Sequence, residues 1–286
     1  MCTIDMSVAA VCREAVATDK KDAEEEWENG AGMKYKIAYY TDRGIKKQTN
    51  QDGFIVKGAE TDLGSAFFSV VCDGMGGLSK GELASTQVLY AFSDWFDKEL
   101  PGLLQEGFFK EKLFCSWKKL LKHENIKLAD YGRKNNLSLG TTATAFLIFH
   151  NEYYIIHVGD SRIYELTKQM VQLTVDDTVV AREIAAGRIT KEQAESDPRR
   201  NVLLQCIGAS PQMEPTCQNG ILAENAGYLL CSDGFRHVIT PEEIFTQLNP
   251  AVVKDEAAMT TSLKGLVETV KLRQETDNIT AVYIHT

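Results

Sequence analysis

The stretch Phe67-Phe68-Ser69-Val70-Val71-Cys72-Asp73-Gly74-Met75-Gly76-Gly77 decides the fold of this chain. An apolar run of strand length ends at the carboxylate of Asp73, and glycines follow at once. Short apolar runs bounded by glycine are typical of buried strands. Glycine also lets the main chain turn tightly, so its carbonyls can approach whatever the carboxylate binds. A single D-G turn is common in hairpins. The prediction of a site here therefore depends on finding the same arrangement elsewhere in the chain.

The same arrangement occurs four more times along the chain. In T-N-Q-D-G an aspartate precedes an apolar strand, and in T-D-N an aspartate precedes the last strand. In V-G-D-S-R and in C-S-D-G an aspartate follows an apolar strand. These four aspartates are Asp52, Asp160, Asp233 and Asp277. Five aspartates at strand ends, each beside Gly or Asn, predict convergence at one rim of a packed pair of sheets.

The order of the predicted elements favours an α+β protein over alternating βαβ units. Strands come first and two helices follow, over 82–100 and 110–131. Pro101-Gly102 is predicted to end the first of them. Apolar stripes on both helices indicate packing against the core. After further strands, including 139–148, come a helical excursion, more helices and a final strand, which predicts two sheets covered by helices.

Composition and charge limit the function classes. The 286 residues are 44% hydrophobic and 25% charged, with a formal net charge of -9, which suits one large globular domain. Net acidity argues against nonspecific nucleic-acid binding and against a basic membrane surface. No apolar stretch is long enough to span a bilayer. Seven cysteines without a C-x-x-C pair favour a reducing compartment, so we expect a cytoplasmic protein.

Two segments differ from the strand series. Residues 1–32 contain a charge run over 19–26, and we expect them to form a flexible N-terminal extension. Residues 176–211 form a polar, helical insertion in which Thr190 and Gln193 fit a capping box. This insertion fits either a lid over the rim or an ordinary surface connection.

The aspartate rim favours hard divalent cations. Aspartates without paired histidines or cysteines select Mg²⁺ or Mn²⁺ over zinc. Asp52, Asp73, Asp233 and Asp277 would balance the charge of two such ions, and without metal some of these carboxylates would protonate. A water that bridges two cations has a strongly lowered pKa and can attack phosphorus in line. The rim therefore predicts hydrolysis of a phosphate ester.

These motifs resemble the metal-dependent serine/threonine phosphatases, the PPM or type 2C family, in its compact bacterial form. T-N-Q-D, V-V-C-D-G-M-G-G, L-G-T-T-A-T-A, V-G-D-S-R-I-Y, L-L-C-S-D-G-F and T-D-N-I-T-A-V occur here in the family's order. The resemblance implies a four-layer α-β-β-α sandwich of two mainly antiparallel sheets flanked by helices. It also implies a single catalytic domain over 33–286, a binuclear Mn²⁺ or Mg²⁺ centre at one edge, and a flap over 176–211.

The resemblance also assigns roles by position. Gly74 corresponds to the residue whose backbone carbonyl binds metal, and Asp160 to the ligand, shared with Asp233, of a third and weaker metal. From the residues alone, a G-D-S-R turn braced by an Asp160–Arg162 pair is an equal alternative. The residues that correspond to the family's metal carboxylates, and act in catalysis through metal-activated water, are Asp52, Asp73, Asp233 and Asp277.

Four positions depart from the family pattern or vary within it. Lys47 stands where the family usually has an arginine that grips the substrate phosphate; lysine keeps the charge but loses the bidentate fork, so weaker binding is expected. Gln51 replaces a common glutamate, and Asp177 replaces a histidine of the flap motif. Met75 stands where some relatives carry a histidine proposed as general acid. The leaving-group acid is therefore unassigned.

Other polar residues near the motifs are predicted to be structural. His157 is expected to be a packed core histidine. Thr141 and Thr142 are expected to pack or hydrogen-bond behind the site. Cys72 and Cys231 lie inside apolar strands, where a thiol behaves as a small hydrophobe.

We therefore predict a phosphatase that acts on phosphoserine and phosphothreonine in phosphorylated proteins, without a phosphoenzyme, because no nucleophilic Cys or Asp motif of the covalent phosphatases occurs. The family implies a cognate serine/threonine protein kinase as a partner, and we expect a monomer that binds neither nucleic acid nor membrane. One alternative is a catalytically weak, metal-binding regulatory module on the same fold, suggested by Lys47 and Gln51. The other is a two-metal phosphodiesterase or nuclease, disfavoured by the net acidity.

Overall fold

The computed structural model describes residues 13–17, 35–76, 80–108 and 110–286. The strands are β1 (Arg13–Ala17), β2 (Lys36–Asp42), β3 (Gly53–Thr61), β4 (Gly64–Cys72), β5 (Gly74–Gly76), β6 (Leu139–Thr141), β7 (Ala143–Phe149), β8 (Glu152–Val158), β9 (Arg162–Leu166), β10 (Met170–Gln172), β11 (Thr216–Ile221), β12 (Gly227–Cys231) and β13 (Ile279–His285). The helices are α1 (Gly81–Lys98), α2 (Leu100–Gln105), α3 (Lys110–Asn135), α4 (Val179–Ala185), α5 (Lys191–Glu195), α6 (Asp233–Arg236), α7 (Pro241–Leu248) and α8 (Glu256–Leu272).

The strands form two antiparallel sheets and one small ladder. The first sheet has the order β1-β3-β4-β7-β8-β11 and the second the order β10-β9-β12-β13-β2, while β5 pairs with β6. The apolar core between the sheets includes Phe54 and Phe146 from the first and Tyr228 and Val282 from the second. Helices α1 and α3 pack on the outer face of the first sheet, and α7 and α8 on that of the second. The predicted four-layer α-β-β-α sandwich is confirmed.

Strand β4 is apolar along its length because both of its faces are buried. Phe67 packs in the core between the sheets, whereas its neighbour Phe68 packs towards the helices. Successive side chains of a strand point to opposite faces, so a strand covered on both sides shows no polar alternation.

An aromatic cluster fixes the helical layer on the first sheet. The ring of Phe68 lies 5.5 Å from that of Trp95 and 5.9 Å from that of Trp117, measured between centroids. Phe92 and Phe96 complete its surroundings at 5.8 and 5.6 Å. Aromatic pairs at such distances add to the free energy gained from burial. The cluster thus joins β4, which carries Asp73 at its end, to α1 and α3.

Two predicted boundaries differ from the structure. The first helix, α1, ends at Lys98, two residues before the predicted end, and Pro101-Gly102 lie in the next helix, α2, with the proline in its first turn. The first amides of a helix have no acceptor within it, so a proline costs little there. The strand predicted over 139–148 is divided at Thr142, whose amide donates to the Asp73 carbonyl at 2.9 Å. Thr142 is therefore bonded to the candidate site.

Five residues of the segment 1–32, which was expected to be a flexible extension, form a strand in the structure. Arg13–Ala17 form β1, which pairs antiparallel with β3 at the edge of the first sheet. A strand of five residues depends on the hydrogen bonds of its partner, which its own sequence does not reveal. Residues 1–12 and 18–32 lie outside the described residues, and their flexibility stays a prediction. No helix in the described ranges is both long and apolar enough to cross a membrane.

We predict that Phe68→Ala lowers the free energy of unfolding by about 3–5 kcal/mol, because it leaves a cavity among four aromatic rings. The matched control is Tyr90→Ala on the same helical layer, where the tyrosine is 56% exposed and the expected change is within about 0.5 kcal/mol. Urea unfolding of the metal-free protein measures both. Equal losses for the two variants would contradict the role of the cluster.

Candidate metal and phosphate site

The pairing of β3 with β4 places the first two aspartates together. Asp52 directly precedes β3 and Asp73 directly follows β4, and these ends meet where Gly53 pairs with Cys72. The strands are antiparallel, so the start of one and the end of the other share a sheet edge. The site is therefore built from the loops at this edge.

The second sheet brings two further aspartates to the same place. Asp233 is the first residue of α6, two residues beyond the end of β12, and Asp277 lies just before β13. Strands β12 and β13 pair at Cys231 and Ala281, and the Ser232 amide extends this pairing by donating to the Thr280 carbonyl at 3.0 Å.

Electrostatic coupling supports the predicted convergence of the five aspartates. Burial raises the pKa of Asp73 well above its ordinary value, and the charges of Asp52, Asp233, Asp160 and Asp277 raise it further. Burial likewise raises the pKa of Asp52 to about 7, against hydrogen bonds that lower it, and with further increases from Asp233 and Asp277. Carboxylates that raise each other's pKa lie within a short distance of one another.

Two carboxylate oxygens at this rim are buried without a hydrogen-bond partner, Asp52 Oδ2 and Asp233 Oδ1. A buried polar atom normally has a partner, and an unpaired one marks a strained site or the place of an ion or water. Within the described ranges, no group of three or more His, Cys, Asp or Glu side chains is positioned to hold a metal ion. Two side chains of the protein, which are cations when protonated, lie against carboxylates of the rim.

Lys47 is one of these cations. Its Nζ lies 2.8 Å from Asp277 Oδ1, and its side chain is 40% exposed. Burial acts to lower the pKa of Lys47, but the hydrogen bond and charge of Asp277, with smaller contributions from Asp73 and Asp52, raise it above its ordinary value. The residue predicted to bind phosphate is therefore a charged ammonium at the mouth of the rim.

The second of these side chains is His237, for which the motifs in the sequence predicted no role. Its Nε2 lies 3.3 Å from Asp233 Oδ2 and its Nδ1 lies 3.4 Å from Glu275 Oε2. Burial acts to lower the pKa of His237, but the hydrogen bond to Glu275 and the charge of Asp233 raise it above its ordinary value. The only signal in the sequence was a histidine four residues after the aspartate, a spacing that puts both on one face of a helix.

Backbone packing at Gly74 requires glycine. A Cβ on Gly74 would lie 2.4 Å from the Gly81 carbonyl oxygen and 2.5 Å from that of Gln51. The Gly74 amide donates to the same Gln51 oxygen at 3.2 Å. The main chain of the D-G turn therefore lies directly against the residue that precedes Asp52.

The polar residues predicted behind the site are found there. Thr142 Oγ1 accepts a hydrogen bond from the Asp73 amide at 2.9 Å, and Thr141 Oγ1 donates to the Asp73 carbonyl at 3.0 Å. His157 is buried, and its Nδ1 lies 2.9 Å from Thr144 Oγ1. Burial lowers the pKa of His157, as expected for a neutral core histidine.

Asn278, the last residue of the T-D-N motif, hydrogen-bonds the backbone of the loop before β3. Its Oδ1 accepts from the Gln51 amide at 2.9 Å, and its Nδ2 donates to the carbonyls of Arg43 and Thr49 at 3.0 and 3.1 Å. These bonds attach the loop that carries Lys47 to the start of β13. The side chain of Asn278 therefore fixes Lys47 and Asp277 relative to each other.

Asp160 has a different partner from the one weighed from its motif. Arg162 does not pair with it but forms a bidentate pair with Asp176, at 2.8 and 2.7 Å. Arg236 lies beside Asp160 instead, and its Nη2 donates to the Asp160 carbonyl at 2.9 Å. Burial raises the pKa of Asp160 to about 7, with Asp233 adding to the increase and Arg236 opposing it.

Asp177 connects the segment 176–211 to the turn before Asp160. Its carboxylate accepts from the Gly159 amide at 3.0 Å and from Gln205 Nε2 at 2.8 Å. Its own amide donates to the Gly159 carbonyl at 2.7 Å. Helices α4 and α5 lie in this segment, and the predicted capping box at Thr190 is confirmed.

Comparison with known proteins agrees with this geometry. The sequence model for protein phosphatase 2C matches residues 42–271. The serine/threonine protein phosphatase PstP of Mycobacterium tuberculosis is 31% identical over 249 residues, which is 86% of this chain and 44% of that protein. Protein phosphatase PhpP of Streptococcus pneumoniae is 28% identical over 87% of this chain and 96% of PhpP.

A solved structure of the PstP catalytic domain in complex with two manganese ions superposes on this chain with a TM-score of 0.69 and 30% identity. The match covers 88% of this chain and 97% of that one. This chain belongs to the protein phosphatase 2C family. Its relatives are named as serine/threonine phosphatases.

The raised pKa values predict the pH dependence of the metal-free protein. Folding raises the pKa of these carboxyl groups. Such a group contributes fully to the free energy of unfolding at pH values below the pKa that it has in the unfolded chain. Its contribution is lost as the pH rises through the higher pKa that it has in the folded protein. For Asp52 and Asp160 that window runs from the ordinary value of 3.8 to about 7. The free energy of unfolding should therefore fall by on the order of 1–3 kcal/mol between about pH 5 and pH 8.

Urea unfolding in EDTA across this range measures the effect. Saturating Mn²⁺ should abolish or reverse the fall, because a cation stabilises the ionised carboxylates. Metal-free protein that is more stable at the higher pH would contradict the convergence of the carboxylates.

Proposed function

We propose that this chain is a metal-dependent protein serine/threonine phosphatase whose single catalytic domain covers residues 33–286. The observation that carries the proposal is the convergence of Asp52, Asp73, Asp233 and Asp277 at one edge of the sandwich, with two buried oxygens left unpaired. Membership of the protein phosphatase 2C family supports phosphoserine and phosphothreonine in proteins as the substrate.

The donor set fits Mn²⁺ or Mg²⁺, because these cations prefer carboxylate and carbonyl oxygen. When bound, two such ions would polarise the phosphoryl group and lower the pKa of an attacking water. Asp160, together with Asp233, would hold a third and weaker ion. The residues that would hold the two main ions are Asp52, Asp73, Asp233, Asp277 and the backbone carbonyl of Gly74.

Charge at the rim suits a phosphate monoester. The four main carboxylates carry -4 when ionised, which two divalent ions would balance, and Lys47 then leaves a net positive charge at the mouth. A phosphate dianion would meet attraction instead of repulsion. Lys47 Nζ bonds to Asp277 Oδ1 in the structure, and this bond orients it into the rim, where it can bind a phosphate oxygen.

Two residues near the site are excluded as the leaving-group acid. The Met75 side chain carries no titratable proton. His157 is 1% exposed and its Nδ1 bonds to Thr144, so it has no access to a substrate.

The departure at Gln51 does not support the alternative of a regulatory module. The Gln51 side chain lies 3.5 Å from Glu82 Oε2, and its contribution to the site is made by its backbone. The Gln51 carbonyl accepts from Gly74 and from the Ser85 hydroxyl, at 3.2 and 2.7 Å. Glutamine provides these contacts as well as glutamate would.

The proposal extends to a flap, a partner, the oligomeric state and the location of the protein. We propose that residues 176–211 act as a flap over the rim, which is supported by the hydrogen bonds of Asp177 to the turn before Asp160. A cognate serine/threonine kinase as partner, a monomeric state and a cytoplasmic location stay predictions from the sequence.

Phosphate release from a phosphothreonine peptide tests the proposed activity. Turnover should require Mn²⁺ or Mg²⁺, stop in EDTA, and fall by about 100-fold or more in Asp233→Asn, since a ligand and a negative charge are lost together. The matched control is Asp94→Asn on α1, a 67% exposed aspartate paired with Lys98, which should keep wild-type turnover.

Failure of the wild type to turn over phosphopeptides in excess Mn²⁺ would contradict the proposal and favour the regulatory module. Faster hydrolysis of a phosphodiester than of a monoester would favour the phosphodiesterase.

Replacement of Lys47 tests its contact with phosphate. Lys47→Gln should raise KM for the phosphopeptide by about tenfold and change kcat less, because a charge-assisted contact to the substrate is lost. Lys47→Arg should keep or lower KM, because its fork can bind two phosphate oxygens. Measured kinetics at saturating Mn²⁺ separate the two parameters. An unchanged KM in Lys47→Gln would show that this ammonium does not bind the substrate.

A further inference from the structure

We propose that Arg236 is a built-in cation at Asp160, and that it weakens the third metal position so that this chain binds two divalent cations tightly. The inference rests on the proposed metal centre. It concerns a residue for which the sequence motifs predicted no role.

The position of Arg236 is set by α6, which begins at Asp233 and ends at Arg236. One nitrogen, Nη2, lies 2.9 Å from the Asp160 carbonyl oxygen, 3.5 Å from Asp176 Oδ2 and 3.8 Å from Asp160 Oδ2. The side chain is 12% exposed. The guanidinium thus sits between the two carboxylates and out of bulk water.

The Arg236 side chain is only partly hydrogen-bonded. Its Nε is buried without a partner, although a guanidinium can donate five hydrogen bonds. Arg162 already gives Asp176 two hydrogen bonds at 2.8 and 2.7 Å. Asp176 is therefore already paired without Arg236. What Arg236 adds is a positive charge beside Asp160.

A charge count separates Asp160 from the rest of the rim. When both are ionised, Asp160 and Asp176 carry two negative charges, and Arg162 and Arg236 carry two positive charges beside them. Among the described side chains, the four main carboxylates pair with Lys47 and, when its imidazole is protonated, with His237. The region around Asp160 is therefore neutral without metal, whereas the main rim requires added cations.

A divalent ion on Asp160 would face the positive charge of Arg236 at close range. Charges that lie within a few ångströms and are partly shielded from water interact strongly, and here they repel. The guanidinium of an arginine is a permanent cation in proteins, so this repulsion remains. The ion would have to displace Arg236 from Asp160, and so would lose affinity.

The test is the number of Mn²⁺ ions bound by the full chain, measured by isothermal titration calorimetry and by Mn²⁺ electron paramagnetic resonance. The variant Arg236→Gln removes the charge and keeps a donor for the Asp160 carbonyl. The matched control Arg236→Lys keeps the charge. A double variant, Arg236→Gln with Asp160→Asn, removes both the charge and the ligand.

Wild type and Arg236→Lys should bind two Mn²⁺ tightly. Arg236→Gln should gain affinity for a third by on the order of tenfold or more, as expected for removing one nearby charge. The double variant should lose that gain. Asp160→Asn alone should leave the two tight sites in place, which tests the inference even if Arg236→Gln fails to fold.

Three tightly bound ions in the wild type would overturn the inference, and so would an unchanged third affinity in folded Arg236→Gln. Loss of a tight site in Asp160→Asn would also overturn it. A wild type that binds no Mn²⁺ would contradict the proposed metal centre itself, and this outcome is distinct from the other three.

Discussion

The mutual repulsion of aspartates at one sheet edge is the constraint on which the rest of the structure depends. Asp52 is buried and Asp73 half-buried, and their pKa values are raised first by burial and then by each other and by the neighbouring carboxylates. A fold keeps such an arrangement only where the backbone is held on all sides. The backbone contacts of Gly74 and the side-chain bonds of Thr142 and Asn278 provide that support.

The sandwich supplies the rigidity that this constraint demands. Each aspartate follows or precedes a strand whose two faces are buried, or begins a helix directly after one, so no long loop separates the carboxylate from the core. The cluster around Phe68 holds β4 against α1 and α3. Basic side chains are distributed unevenly among the carboxylates. Lys47 and His237 each hold one main carboxylate, whereas Arg162 and Arg236 neutralise Asp160 and Asp176.

The sequence predicted the features that are local in the chain. An aspartate beside glycine at the end of an apolar run indicates both the strand and a carboxylate at its end, so the five rim positions could be predicted. The order of the elements predicted two sheets covered by helices, and the family resemblance implied their four-layer arrangement. Contacts made across the fold could not. The Arg236–Asp160 and His237–Glu275 pairs depend on the orientation of α6, a four-residue helix with no periodic pattern. Strand β1 depends on hydrogen bonds to β3, and its own residues do not reveal them.

The central claim is that the converging carboxylates form a binuclear metal centre. Anomalous diffraction at the manganese edge, from crystals of the wild type grown in Mn²⁺, tests it most directly. The account predicts two anomalous peaks within coordination distance of Asp52, Asp73, Asp233 and Asp277, with no third peak of similar strength at Asp160. Peaks elsewhere, or an absence of peaks with the Lys47–Asp277 bond retained, would contradict it.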